Sequence, residues 1–172
     1  MNRLSYPDPA DVAEAMRKFP VPFRQMRIGR IVSHAPTAVD AYYATYAAAL
    51  QDLALDAKLR ELAILRVAWR TGSGYEWRAH LRMGAEAGLS AAQLDAIADG
   101  PAAEAWSPLE SALLRATDEM IDQHRVGDET WGELTEHFDP AELLELLFVV
   151  GGYLCLAAVL NSAGLVPKIA DP

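Results

Sequence analysis

Arg60-Glu61-Leu62-Ala63-Ile64-Leu65, followed by Ser73-Gly74-Tyr75-Glu76-Trp77-Arg78-Ala79-His80, is the stretch that decides how this chain folds. At about 100° per residue, Ala57, Ile64, Leu65, Ala68 and Trp69 all fall within about 80° of Glu61 on a helical wheel. Glu61 therefore lies in an apolar sector, where a carboxylate must be paired, hydrogen-bonded or held protonated. Arg70-Thr71-Gly72 closes that helix with a C-terminal glycine, and Ser73 with Glu76 three residues later has the spacing of a capping box opening the next. The turn is about two residues long. Counting outward from Gly72 at ~1.5 Å per residue, Glu61 and His80 differ in height by about 4 to 5 Å in an antiparallel pair. Ser73, Glu76 and His80 share one stripe of the second helix. A carboxylate and an imidazole facing each other between helices can hold and move a proton.

Helical signals continue along the whole chain. Residues 8 to 18 form a first short helix, which Phe19-Pro20-Val21-Pro22 breaks because proline lacks the amide donor and restricts its predecessor. An irregular arm follows, and then a helix over residues 36 to 52. Residues 57 to 70 and 74 to 87 make the central hairpin. Ser90 with Gln93 opens a further helix by a capping box. Ser107-Pro108-Leu109-Glu110 and Asp139-Pro140-Ala141-Glu142 each combine a cap residue, a proline at the first helical position and a glutamate at the third. These predict helices at 108 to 125, 128 to 137 and 140 to 163, the last with a bend at Gly151-Gly152. No alternating strand pattern competes, and no linker or repeat divides residues 1–172, so one all-α domain is expected.

The hairpin resembles the carboxymuconolactone decarboxylase and alkylhydroperoxidase D-like proteins. Their core pattern is a glutamate, twelve residues on a Cys-x-x-Cys pair, and a histidine four residues after the second cysteine. Glu61 and His80 match it in identity and spacing, whereas Ser73 and Glu76 stand at the cysteine positions. The resemblance is strongest over residues 56 to 100, including Gly84 and Gly88, and extends over residues 20 to 165, with Asn161 and Gly164 in its closing part. It implies an alkylhydroperoxidase D-like helical bundle whose apolar helices contribute to a homo-oligomer. It also implies either lyase chemistry, as in the decarboxylases, or a peroxiredoxin-type activity as the family label. The second needs a thiol pair, and neither serine nor glutamate replaces a two-electron thiol-disulfide cycle.

Composition frames these expectations. The chain has 172 residues, 52% of them hydrophobic, which suits one domain with a sizeable core and apolar surface left for self-association. A formal charge of −9 without a basic patch disfavours nucleic acid and anionic membranes as partners. The single cysteine, Cys155, excludes an internal disulfide framework and fits a reducing compartment. Met1 to Pro9 lack an apolar signal core, so the cytoplasm is the expected location. Leu146 to Leu160 carry no charge but fall short of the roughly 20 apolar residues a bilayer needs, contain Gly151-Gly152 and lack basic anchors. A buried central or interface helix is the reading that follows.

Each candidate residue also has a structural reading. Ser73 and Glu76 can be simply a helix cap, His80 a satisfied core histidine, and Glu61 the partner of an arginine such as Arg82 or Arg115. Tyr75 and Trp77 can line a pocket or contact another subunit. His34, His124 and His137 are scattered; His124 falls near a helix end, where an imidazolium is favoured by the helix dipole. There is no metal-ligand spacing, phosphate loop, nucleophile elbow or dinucleotide fingerprint, so no metal or cofactor is expected. Cys155, within the most apolar helix, is expected to be an inert core residue. With the family resemblance, the functional expectation is a catalytic set of His80, Glu61 and Glu76 acting on a small-molecule substrate, an organic acid or lactone. His80 would donate or shuttle the proton, Glu61 orient it, and Glu76 tune it by raising its pKa. Arg78 or Arg82 would meet a substrate carboxylate if its helix face turned inward. A peroxidase acting through Cys155 alone and a non-catalytic binding or scaffolding oligomer are the alternatives.

Overall fold

In the computed structural model, which describes residues 3–49 and 53–165, ten helices and no strand are found among the described residues. They are α1 (Pro9–Ala15), α2 (Val21–Gln25), α3 (Arg27–Val32), α4 (Pro36–Ala49), α5 (Ala57–Thr71), α6 (Gly74–Glu86), α7 (Ala91–Ala96), α8 (Pro108–Gln123), α9 (Asp128–Thr135) and α10 (Pro140–Ala163). The all-α expectation holds. The arm after the first proline break is not irregular, because α2 and α3 occupy it as two short turns of helix. The end of the expected helix at residues 50 to 52 lies outside the described residues.

α5 is the axis of the bundle, with α6, α8 and α10 packed around it. All residues from Glu61 to Ala68 are buried, on every side of the helix, because neighbours cover it all round. Asp56 caps its start by accepting from the Lys58 and Leu59 amides at 2.9 and 3.2 Å. Its end follows the glycine rule: Gly72 adopts φ 66°, and the Ser73 N–H closes back onto the Ala68 carbonyl at 2.9 Å. The Asn161 amide donates to the Thr71 carbonyl at 2.9 Å, tying α10 to this corner. α6 then runs back along α5. Gly84 lets it approach closely, since a Cβ there would lie 2.9 Å from Leu65 and 3.0 Å from Leu89.

The capping box predicted at Ser90 and the helix starts predicted at Ser107 and Asp139 are all formed, and the latter two are capping boxes as well, each with reciprocal side-chain bonds. α10 is long and apolar enough to cross a bilayer by composition alone. It instead buries one face, including Leu146, Val149, Val150, Tyr153 and Leu160, against the bundle. The helix runs through Gly151-Gly152 without interruption.

A buried ionic bolt holds α5 to α8. Arg66 donates to both oxygens of Asp118 at 2.8 and 2.7 Å and to the Ile97 carbonyl at 2.6 Å. Arg70 meets the same Asp118 at 2.7 Å. Removing Asp118 leaves Arg66, whose side chain is 7% exposed, without its counter-charge. An Asp118→Ala variant is therefore expected to lose about 3 to 5 kcal/mol of stability, seen as a lower urea midpoint at an unchanged slope.

Candidate active site

Glu61 projects from the middle of α5 and His80 from α6, and the short turn at Gly72 brings them to the same level. The expected meeting occurs: His80 Nδ1 lies 2.7 Å from Glu61 Oε2. Glu61 is fully buried and His80 is 5% exposed, so the pair is shielded from bulk water. The other oxygen, Oε1, accepts from Arg60 Nε at 3.2 Å and from a terminal nitrogen of the same guanidinium at 3.1 Å. Arg60 precedes Glu61 in the chain, with its side chain 14% exposed, and supplies the countercharge that a carboxylate at this depth requires. A carboxylate flanked by a guanidinium can only accept, so Nδ1 carries the hydrogen and donates it. Nε2 is thus the ring nitrogen left for proton exchange with a ligand. The Tyr153 ring, from α10, stands edge-on to the imidazole at 5.0 Å and 88°. Neither Arg60 nor Tyr153 was singled out from the sequence. An arginine beside a buried glutamate was a usable signal for the first; Tyr153 had none, because it comes from a helix 73 positions away from His80.

Glu76 and Ser73 lie one and two turns before His80 on the same face, and both are buried. The capping box expected from them does not form. Ser73 sits at the N-cap but makes no side-chain cap bond. Its N–H, which Glu76 would have to reach, is already given to the Ala68 carbonyl in the closure of α5. Both side chains turn into the interior instead. The Ser73 hydroxyl and both Glu76 carboxyl oxygens have no hydrogen-bond partner among the described residues. Burial pushes the Glu76 pKa up to about 8, an effect the nearby Ser73 hydroxyl offsets only in part and without the geometry of a full hydrogen bond. Glu76 is consequently a neutral acid at pH 7. It does not confer the negative charge on His80 that the sequence led us to expect; it stores a proton beside it.

Other expectations are corrected. Arg82 pairs with Glu86 at 3.7 Å on the surface and Arg115 pairs with Glu133, so neither is the partner of Glu61. Arg78 and Arg82 are exposed, and neither helix position turns a cation inward. Cys155 is exposed on the outward side of α10, not buried in the core, because the apolar character of that helix continues onto its outer face. Trp77 packs on Trp69, with ring centroids 5.5 Å apart, while Tyr75 lines a surface hollow of about 360 Å³ with Arg27 and Arg78. His34 bonds to the Ser5 carbonyl at 2.9 Å, and His124 ends α8 in the left-handed region at φ 61°. Among the described residues, no group of three or more His, Cys, Asp or Glu side chains is arranged to hold a metal.

The Glu76 carboxyl has a thermodynamic signature. Below pH 4.5 it is protonated in both the folded and unfolded chain; between there and about 8 only the unfolded chain ionises. Stability is then lost as pH rises through this window, at up to about 1.4 kcal/mol per pH unit. Glu76→Gln, which keeps a neutral side chain at every pH, is expected to flatten that slope in urea unfolding measured between about pH 5 and 8.

Residues 36–119 match the family model of the carboxymuconolactone decarboxylase family. None of the curated proteins compared matches the chain. Among solved structures, it is similar to a protein of unknown function from Agrobacterium tumefaciens, provisionally named an AhpD antioxidant-defence protein. The TM-score is 0.71 at 18% identity, covering 78% of this chain and 92% of that one. It is also similar to an alkylhydroperoxidase AhpD core, an uncharacterized peroxidase-related protein from Ralstonia eutropha JMP134. There the TM-score is 0.72 at 17% identity, covering 97% of this chain and 92% of that one. At such identities the likeness establishes the helical fold and not the chemistry. The hairpin thus lies within a stretch that matches the carboxymuconolactone decarboxylase family model, and the chain as a whole has the helical fold of the AhpD-like structures.

Proposed function

We propose that this protein catalyses cofactor-free proton transfer on a small organic acid or lactone, in a decarboxylation or related lyase reaction. The observation that carries the reading is the Arg60–Glu61–His80 chain: one carboxylate, fully buried, accepts from a guanidinium on one oxygen and from the imidazole at 2.7 Å on the other. Fixing Nδ1 in this way orients the ring and directs Nε2 to the substrate as acid or base. In decarboxylation the bond between the carboxyl carbon and its neighbour breaks, carbon dioxide leaves, and the electron pair remains on the substrate as a carbanion or dienolate. A proton must then reach that carbon. His80 delivers it through Nε2, and the neutral Glu76 is a second buried proton source on the same face. The reaction has no net redox change and needs no external reductant.

A thiol-based peroxidase finds less support. The sequence contains one cysteine, so a resolving partner within the chain is missing. That cysteine is exposed on α10, whereas the positions next to the buried pair on α6 hold Ser73 and Glu76. On our reading these two stand where the family's peroxidases carry their thiols, and they equip the same position beside the imidazole for acid-base work.

The test is carbon dioxide release from a carboxylated unsaturated lactone, run beside consumption of an organic hydroperoxide. His80→Gln is expected to lower kcat for the first by about 10² to 10⁴, while Cys155→Ser leaves it unchanged. Hydroperoxide consumption that Cys155→Ser abolishes, or lyase turnover that His80→Gln leaves intact, would overturn the proposal.

A further inference from the structure

The cations of this chain are unevenly matched. It has 24 acidic residues against 15 basic ones, and most of the basic ones are paired with a carboxylate. Arg24 of α2 and Arg27 and Arg30 of α3 form no ion pair among the described residues. Arg24 and Arg30 are nonetheless half-buried, where a guanidinium without a counter-ion is costly. The Arg24 Nε is shut off from solvent and has no hydrogen-bond partner among the described residues. Both side chains line one surface hollow of about 340 Å³ between α1 and the corner of α2 and α3. Its other walls are mostly apolar, with Val12 and Ala13 from α1 and Val21 from α2, beside the Gln25 amide. Val12 belongs to a small second core with Met16, Phe19 and Val39, so the floor of the hollow is firmly packed.

Two features fix the guanidiniums in advance. Gly29 brings α3 hard against α2: a Cβ there would lie 2.0 Å from the Phe23 carbonyl oxygen and 3.3 Å from the Arg24 Cα. Only glycine permits the close crossing that sets Arg24 and Arg30 on the same hollow. Arg30 lies over the Tyr6 ring, 4.2 Å from its centroid, and the Tyr6 hydroxyl accepts from Arg27 Nε at 2.8 Å. The ring holds Arg30 without neutralising it, and little side-chain freedom is left to lose on binding.

We propose that this hollow is a binding site for a small amphipathic carboxylate, its anionic head between Arg24 and Arg30 and its apolar body against Val12, Ala13 and Val21. A guanidinium offers paired N–H donors that match the two oxygens of a carboxylate. The apolar walls disfavour a compact, strongly hydrated anion such as inorganic phosphate, which would lose its water without regaining enough hydrogen bonds. The volume is at the lower end of small-molecule pockets and suits a ligand of about eight to ten non-hydrogen atoms. A formal charge of −9 repels anions over most of the surface, so one is held only where cations stand without acids beside them. The hollow shares no residue with the Arg60–Glu61–His80 chain and does not depend on the lyase reading.

The test is an NMR titration of the isotope-labelled full chain with hexanoate, followed on the arginine Nε–Hε signals. Hexanoate is expected to bind with a Kd of about 0.1 to 1 mM and to shift the Arg24 and Arg30 signals. Hexan-1-ol, which has the body without the charge, and inorganic phosphate, which has the charge without the body, should each bind at least about tenfold more weakly. Arg24→Gln and Arg30→Gln should each raise the hexanoate Kd by about tenfold or more. Ala13→Phe, which fills the hollow and keeps both cations, should do the same, whereas His80→Gln should leave this Kd unchanged. Thermal melts by circular dichroism check that each variant folds; if Arg24→Gln does not, Arg24→Lys takes its place and should weaken binding because it keeps the charge but loses the paired donors. No saturation below about 10 mM hexanoate overturns the proposal. So does hexan-1-ol or phosphate binding as tightly as hexanoate, or a hexanoate Kd that both arginine substitutions leave unchanged.

Discussion

A carboxylate buried completely in the central helix constrains the structure around it. Glu61 cannot be left uncompensated at that depth, because an isolated charge in an apolar medium costs far more than a domain's net stability. Its two oxygens divide the task, one accepting from Arg60 and the other from His80. The tight closure at Gly72 sets the height at which α6 returns, and Asn161 fastens the far end of α10 to the same corner. The site is thus assembled by the elements that also form the core, and a shift in their packing would separate the pair.

Beside this charged chain lies a neutral one. Ser73 and Glu76 are buried without partners and border the paired residues along α6. Two carboxyl groups of the hairpin thereby sit in different surroundings: Glu61 accepts from a guanidinium, whereas burial raises the Glu76 pKa and keeps that group protonated. Orphaned buried polar atoms carry a cost that a polar ligand in the site would relieve.

α10 contributes to the site as well. One face of the helix provides Tyr153 to the imidazole and completes the core, while the other leaves Leu144, Phe148 and Val159 exposed. Its apolar composition reads as uniform because both faces are apolar. That uniformity is why the sequence pointed to an inert, enclosed Cys155 where the structure has an exposed one.

Much of the architecture was legible in the residues, since helix starts depend on local hydrogen bonds. The capping box at Ser90 and the helix starts at Ser107 and Asp139 form as their spacing predicts, and Gly72 ends α5 as a glycine should. The Glu61–His80 contact was legible for a related reason: a two-residue turn between regular helices fixes relative height. Ser73 and Glu76 had the right spacing for a cap as well, but the backbone donor that cap needs is consumed by the end of the preceding helix. Sequence by itself determined the longer helices, their order and the hairpin, because these follow from propensity and short-range bonding; it did not predict the short α2 and α3. Only the tertiary structure decided which face of α10 is covered, that Tyr153 stands against the imidazole, and that Glu76 is dry enough to keep its proton. Burial depends on packing between distant segments, which no local pattern encodes.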